Sequence, residues 1–351
     1  MADAAEEVAR KASDWRAKID AVDAVRPDRA DFERAQEPGR GRDAEQPLAI
    51  PALGWRDVLW RVVWAIPEDR VLATAGSVAF FALLSVFPAI AVVVSLYGLV
   101  ADVRTIGGHL ALLAGILPEG ALALLRDQIA TIISKETSTL SFAFLVGLGT
   151  ALWSANSGVG AMFDALNVVY GEKEKRSLLR FYLTTFAFTL GAIVFVILAI
   201  TAVVALPILL NLIGVSLPAE RIVSVARWPL LLAVVMMGLT LVYRFGPSRR
   251  VAEWRWVSLG SAVAAALWIA ASMAFSWYVA SFDSYNKVYG SLGAGVGFMV
   301  WIWVSVVIVL VGAELNAEAE HQTARDTTTG PEKPLGVRGA TMADHVGPAQ
   351  A

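Results

Sequence analysis

Six long stretches of this chain contain no charged side chain, and they constrain the fold more than any other feature. The uncharged stretches are Val71–Ala101, Thr137–Phe163, Phe181–Ala219, Trp228–Tyr243, Trp256–Phe282 and Val288–Ala313. A helix needs about 20 apolar residues to cross a bilayer, and lipid offers no hydrogen-bond partner to a backbone that is not helical. The fourth stretch reaches this length only if its helix begins near Ile222, with Arg227 close to the start. The sequence therefore predicts an all-α polytopic membrane bundle with six transmembrane helices.

The composition excludes several other classes of protein. Hydrophobic residues make up 57% of the chain and charged residues 17%, whereas soluble domains have about 25% charged residues. The chain has no cysteine and three histidines, so disulfides, iron–sulfur clusters and thiolate zinc sites are excluded. The net charge of -2 provides no basic field that would attract nucleic acid. We expect no cofactor, no metal ion and no nucleic acid, and we expect membrane lipids as partners.

Lysine and arginine are divided unequally between alternate loops, which predicts the orientation of the helices. The segments before Val71, at 164–180, at 244–255 and after Ala313 hold 23 of the 29 lysine and arginine residues, and the other loops hold 6. Loops rich in these residues stay in the cytoplasm. We predict a multi-pass protein with both termini in the cytoplasm.

The chain divides into four predicted segments. Residues 1–50 mix Asp, Glu, Arg and Ala with helix breakers, and they are predicted to form a disordered or partly helical cytoplasmic tail. In residues 51–70, apolar residues and tryptophans recur at helical spacing up to Pro67, which predicts an interfacial amphipathic helix. Residues 71–320 form the transmembrane domain, with amphipathic helices predicted in its external 102–136 loop. Residues 321–351 are predicted to be a disordered cytoplasmic tail.

The polar residues of the predicted interior are neutral. The six stretches hold no Asp, Glu, Lys, Arg or His, and Arg227 lies at the edge of the fourth stretch. Ion-coupled pumps usually place an ionisable group at membrane depth, so its absence argues against a proton or sodium relay of the usual kind. Ser77, Ser85 and Asn156 are candidate cavity residues. For the serine and threonine residues, Ser77 and Ser85 included, hydrogen bonds between helices are the favoured interpretation. Asn156 is more costly to bury and is the better cavity candidate.

The start of the last helix has two further features. Tyr285 and Tyr289 fit an interfacial belt of aromatic residues, or they line an external mouth. Gly293 and Gly297 form a GxxxG pair that permits close approach of helices. Such small-residue faces favour packing within the bundle or a homo-oligomer.

Glu314 lies where the last helix leaves the membrane, beside Asn316 and one turn before Glu318. A metal site with His321 and a solvated helix end are two interpretations, and the first lacks further ligands. We predict instead that Glu314 pairs with an arginine and that the pair acts as a structural clamp or as a gate. The candidate partners are Arg244, Arg176, Arg180 and Arg70.

Several blocks of sequence, in the same order along the chain, carry a family resemblance. The block from Tyr285 to Asn316 includes Tyr289-Gly290-Ser291-Leu292-Gly293 and ends in Gly312-Ala313-Glu314-Leu315-Asn316. Earlier blocks are Ala79–Pro88, Ser157–Tyr170 and Tyr243–Pro247. Together they resemble the YihY/BrkB family of bacterial inner-membrane proteins, once labelled ribonuclease BN, over roughly residues 55–320. The resemblance implies a six-helix bundle with cytoplasmic termini in the bacterial inner membrane.

Three functions are compatible with this sequence. The first is a transporter or flippase-like protein for a lipid or another amphipathic envelope component. Since a lipid tail stays in hydrocarbon, its headgroup needs only a modest polar path. The second is a non-transporting membrane scaffold for envelope integrity. The third, a membrane-bound ribonuclease, is disfavoured because a metal-dependent nuclease needs clustered His and carboxylate ligands, and the three histidines lie far apart in the sequence. We therefore predict that the protein is not an enzyme.

Overall fold

The fold is taken from a computed structural model that describes residues 29–100, 126, 130, 142–200, 217–281 and 283–350. Most of the external 102–136 loop and most of the loop predicted at 213–219 lie outside these residues. The side chains of Tyr285 and Tyr289 and the surroundings of Gly293 also lie outside the described part, although the backbone there is helical.

Long helices coincide with the uncharged stretches. The described helices are α1 Arg29–Arg34, α2 Ala52–Glu68, α3 Val71–Val100, α4 Phe142–Val169, α5 Leu178–Ile200, α6 Leu217–Phe245, α7 Trp254–Ser281, α8 Asp283–Gln322 and α9 Thr341–Asp344. Helix α6 begins five residues before the predicted Ile222, so the shortest uncharged stretch belongs to a helix of 29 residues. The described residues contain no β-strand, and an isolated bridge joins Ala252 to Thr328.

Three of the described helices are long and apolar enough to cross a membrane. The stretches are Leu178–Phe195 in α5, Trp254–Tyr278 in α7 and Gly295–Gln322 in α8. Shorter apolar stretches occur in α3 at Val71–Ser85 and in α6 at Leu232–Phe245. The all-helical membrane architecture that the sequence predicts is therefore confirmed.

Helix α2 has two different faces. Its exposed face is apolar and consists of Leu59, Trp60, Val63 and Trp64, each at least half exposed. The opposite face is buried against the bundle and includes Asp57 and Arg61. Arg70, at φ 51°, follows the helix and reverses the chain into α3. A left-handed conformation at a residue other than glycine marks a tightly constrained turn. This turn decides which side chains face α8.

The best-packed part of the protein is one end of the bundle, here called the capped end. It consists of the ends of α4, α6 and α8, the starts of α3 and α7, helix α2, and residues 29–50 and 323–350. Its core includes Tyr170, Tyr243, Trp256 and Leu310, all less than 2% exposed. The helices therefore converge in the region where the charged residues of the chain are also concentrated.

Both tails contribute to the capped end through arginine hydrogen bonds. Arg42 donates to the carbonyl oxygens of Gln322 and Gly347. Arg338 donates to four carbonyl oxygens, including those of Ala324 and Ala343. The sequence predicts disorder for residues 321–351 because this stretch is rich in Thr, Gly, Pro and Ala. The order arises instead from buried guanidinium groups that bind backbone carbonyls, which hydrophobic patterning does not reveal.

Candidate functional site

Arg249 and Glu320 form a fully buried ion pair at the centre of the capped end. Two parallel hydrogen bonds join the groups, at 2.9 Å and 2.7 Å, and neither side chain is exposed. The guanidinium also lies over the ring of Tyr170, at 4.2 Å from its centroid. This bidentate geometry is the strongest form of an arginine–carboxylate contact. The pair fixes the loop after α6 against α8.

A second buried pair joins α2 to α8. Arg61 donates through Nε to Glu318 and through Nη2 to Gln322 Oε1. His321 Nδ1 lies 3.3 Å from the same Glu318 carboxylate. Sequence spacing predicts a solvated helix end for Glu318 and His321, whereas Glu318 is buried. The reason is that α2 packs along this part of α8 and delivers Arg61 into the interface.

Glu314 has no basic partner in the described part of the chain. Its side chain is completely buried, and no described N–H or hydroxyl group donates to either carboxylate oxygen. The predicted ion pair with an arginine is therefore wrong. Arg176 binds Glu174 and the carbonyl oxygens of Phe245 and Gly246. Arg70 points outward and is exposed.

The group that meets Glu314 is another acid, Asp69. The two carboxyl groups are within hydrogen-bonding reach of each other, and the carboxylates of Glu68 and Glu318 add negative charge nearby. Burial raises the pKa of Asp69, and repulsion by Glu68 and Glu318 raises it further. Two carboxyl groups form a hydrogen bond only when one of them carries a proton. Asp69 reaches this position because the turn at Arg70 directs it inward.

Asn316 acts as a clamp between α8 and α7. Its Oδ1 accepts a hydrogen bond from the Gly260 amide at 2.7 Å, and its Nδ2 donates to the Val257 carbonyl at 3.1 Å. The side chain is fully buried. Asn316 therefore uses both ends of its amide group within the fold.

Arg244, at the end of α6, is partly buried and leaves part of its hydrogen-bonding capacity unused. Its Nε and Nη1 atoms are buried without an acceptor among the described residues. Its guanidinium stacks at 4.1 Å from the centroid of the Trp254 ring and 5.4 Å from that of Phe245. Both aromatic rings are exposed on their outer sides. Arg244, Phe245 and Trp254 together form what we call the aromatic shelf.

The neutral polar residues are mostly satisfied by their surroundings. Ser85 donates to the Ala82 carbonyl of its own helix. Asn156 is 4% exposed and accepts a hydrogen bond from Thr189 at 3.3 Å, which joins α4 to α5. Ser77 lies on the exposed surface of α3. These contacts agree with hydrogen bonding within and between helices, and they do not bring Ser77 and Asn156 to one buried cavity.

Comparison with known proteins identifies the family. The sequence model described as virulence factor BrkB matches residues 63–335, which include Asp69, the aromatic shelf and Glu314. The chain belongs to the YihY/BrkB family.

Several relatives of this BrkB-family protein are named as membrane proteins. A UPF0761 membrane protein of Tolumonas auensis is 26% identical over 276 residues, covering 74% of this chain and 82% of the relative. UPF0761 membrane protein VP0125 of Vibrio parahaemolyticus is 29% identical over 264 residues, covering 73% and 81%. The ribonuclease-like protein YfkH of Bacillus subtilis is 28% identical over 252 residues, covering 69% and 88%. No solved structure matches the chain.

The name of YfkH describes that relative and not this BrkB-family protein. Within the described part of the chain, no three His, Asp or Glu side chains are grouped so that they could hold a metal ion. On the last turns of α8, Glu318 and Glu320 pair with arginines, and Glu314 meets Asp69.

Sequence reasoning missed several residues of this site. Asp69 and Arg61 belong to the predicted interfacial helix and its turn, and nothing in their spacing indicates that they face α8. Arg249 and Glu320 are 71 residues apart. The signal that was available for Asp69 is the turn sequence Pro67-Glu68-Asp69-Arg70, which places two acids immediately before a membrane helix.

Proposed function

We propose that this BrkB-family protein moves a lipid or another amphipathic envelope component across the bacterial inner membrane. In this proposal all six long helices span the bilayer and the capped end faces the cytoplasm. Membrane lipids surround the protein and are also the class of molecule that it moves. The protein acts as a transporter or flippase-like protein and not as an enzyme.

The observation that carries this proposal is the aromatic shelf. A guanidinium that is partly exposed and has two nitrogens without an acceptor can bind an anionic group such as a phosphate. The rings of Phe245 and Trp254 hold it in place by cation–π contact. Tryptophan and arginine are typical of the headgroup level of a bilayer. The shelf therefore fits the phosphate of a lipid headgroup whose tails remain in hydrocarbon.

The apolar face of α2 supports the same proposal. Leu59, Trp60, Val63 and Trp64 stay exposed although the rest of the helix is buried. An exposed apolar face rich in tryptophan fits a helix that lies at the membrane surface. In this position α2 places the capped end at the depth of the cytoplasmic headgroups, which is also the depth that the aromatic shelf requires.

Replacing Arg244 with alanine is expected to slow lipid movement about tenfold, since hydrogen bonds to a charged group contribute about 1.5–3 kcal/mol and 1.4 kcal/mol is a factor of ten. The measurement is the initial rate at which fluorescent phosphatidylglycerol crosses the bilayer of reconstituted vesicles. The lysine variant should be intermediate, because lysine keeps the charge but not the planar fork.

The matched control is Arg255→Ala, which removes an arginine that already binds Glu253 at the surface. Its transport rate should equal that of the wild type. Equal rates in vesicles with and without wild-type protein would reject the proposed function. A normal rate in Arg244→Ala would reject the role of the shelf.

A second candidate function, a self-associating membrane scaffold, is favoured by one face of α8. A Cβ atom added at Gly295 or Gly297 would meet no atom of the described residues within 4 Å. The neighbouring Val296, Met299 and Val300 are each more than one-third exposed. This face is therefore free for a second copy of the chain.

If the scaffold function holds, Gly297→Leu should convert an oligomer into a monomer, because a bulky side chain prevents close approach of helices. The measurement is the mass of the protein in mild detergent. Gly238→Leu, at another open position, is the control and should leave the mass unchanged. A wild-type monomer under these conditions would reject the scaffold.

A further inference from the structure

Asp69 and Glu314 are two acidic residues of the capped end that pair with no arginine in the described part of the chain. Glu314 is fully buried with both oxygens free of N–H and hydroxyl donors, and the Asp69 carboxyl group meets it from the turn between α2 and α3. An ionised carboxylate in such a place, without a donor, is strongly destabilised. The contact therefore requires a cation between the two groups.

The surrounding groups do not supply that cation. Titratable or charged groups on the elements packed around the contact are Arg61 and Glu68 of α2, Arg70 of the turn, Tyr170 at the end of α4, Tyr243 and Arg249 at the end of α6 and the following loop, Arg255 of α7, Glu318, Glu320 and His321 of α8, and Asp344 of α9.

The buried cations in this set are already committed. Arg61 binds Glu318, and Arg249 binds Glu320. Arg70 and Arg255 are exposed. Glu68 and Glu318 increase the negative potential at Glu314. The site therefore attracts a cation from solution and not from the protein.

The chemistry of the site selects a proton over a metal ion. Calcium needs six to eight oxygen ligands and magnesium an octahedral set, whereas two carboxyl groups meet here and the described residues offer no third ligand grouped with them. A proton needs only two oxygen atoms at hydrogen-bonding distance.

We propose that Asp69 and Glu314 form a proton-binding site that fastens the start of α3 to the end of α8. With the proton bound, the carboxyl groups share a hydrogen bond and the two helices stay together. When the proton leaves to solvent, two carboxylates repel each other across the interface and the helices separate there. The capped end thereby becomes responsive to cytoplasmic pH, independently of what the protein transports.

The direction of the pH effect follows from Asp69. Burial and the charges of Glu68 and Glu318 raise the pKa of Asp69 in the folded protein above its value in the unfolded chain, and together they outweigh the hydrogen bond with Glu314, which lowers it. The stability that the proton contributes is therefore complete below the unfolded pKa, at about 4, and is lost as the pH rises through the folded pKa. Wild-type protein should melt at a lower temperature in alkaline solution.

The test uses Glu314→Gln and Asp69→Asn, which remove the shared proton while keeping the shape and a hydrogen-bond donor. In detergent at about pH 9, each variant should melt about 3 °C or more above the wild type, and the difference should disappear at about pH 5. Infrared difference spectra between these pH values should show a titrating protonated carboxyl group in the wild type that both variants lack.

The control is Glu318→Gln, which weakens the Arg61 pair and should lower the melting temperature at both pH values while leaving the infrared band in place. A band that persists in Glu314→Gln, or variants whose melting follows pH as the wild type does, would overturn the proposal. A metal ion at this site would also overturn the proposal. It would show itself if sodium, potassium, magnesium or calcium chloride raised the melting temperature of the wild type above its value in choline chloride, with no such rise in Glu314→Gln. These measurements need no transport assay, so their failure is distinct from failure of the lipid proposal.

Discussion

Replacing Arg249 with alanine is expected to lower the free energy of unfolding by about 3–5 kcal/mol, because it leaves a buried carboxylate without its partner. Glu320 loses both hydrogen bonds from the guanidinium, and neither side chain has access to water that would replace them. Tyr170 also loses the guanidinium that stacks on its ring. Chemical denaturation of the protein in detergent, followed by tryptophan fluorescence, measures the effect.

Arg255→Ala is the matched control for this substitution. Its ion pair with Glu253 has a similar length but is 48% and 31% exposed, so its loss should change the stability by about 1 kcal/mol or less. Comparable losses in the two variants would show that the Arg249 pair is not buried as described. The double variant Arg249→Met with Glu320→Leu should recover much of the stability, because no unpaired charge remains.

Replacing Gly260 with alanine is expected to destabilise the protein by about 3 kcal/mol or more, at the upper end of the range for an overpacked core. A Cβ atom at this position would collide with the Gly312 carbonyl oxygen of α8 and would lie 2.6 Å from the Asn316 side chain. Both obstacles belong to a helix backbone or to a clamped side chain, so neither moves without separating α7 from α8. The melting temperature in detergent measures the loss.

Gly238→Ala is the control for the glycine substitution. It places the same methyl group in α6 where nothing lies within 4 Å, and alanine favours a helix over glycine by up to about 1 kcal/mol. This variant should therefore be as stable as the wild type or slightly more stable. Equal behaviour of the two alanine variants would mean that α7 and α8 do not approach each other at Gly260.

The glycines of α7 and α8 also show how much the spacing of small residues predicts about helix contacts. Gly293 and Gly297 have the GxxxG pattern, yet a Cβ atom at Gly297 would meet nothing. The close contact of α7 with α8 uses Gly260 and Gly312, which are 52 residues apart. A pattern within one helix shows where close approach is permitted. Whether a second helix arrives there depends on the rotation of both helices.

The charged residues of the capped end also show that sequence position does not determine which residues meet. Sequence analysis identified Glu314 as unusual because it lies at an apolar boundary, and that part of the reasoning agrees with its complete burial. Its partner was predicted as an arginine because opposite charges attract. The turn at Arg70 directs Asp69 to Glu314 and Arg70 outward, and that choice depends on a single backbone conformation.

By itself, the sequence determined the all-helical membrane architecture, the positions of the long helices and the amphipathic helix before α3. The long helices follow from the length of the uncharged stretches, because lipid requires each of them to satisfy its own backbone hydrogen bonds. The amphipathic helix follows from the helical spacing of its apolar residues. Only the tertiary structure decided that the tails pack on the bundle, that Arg244 keeps unused donors, and that Asp69 meets Glu314. Those outcomes depend on the rotation and depth of helices far apart in the chain, which side-chain packing sets and local pattern does not record.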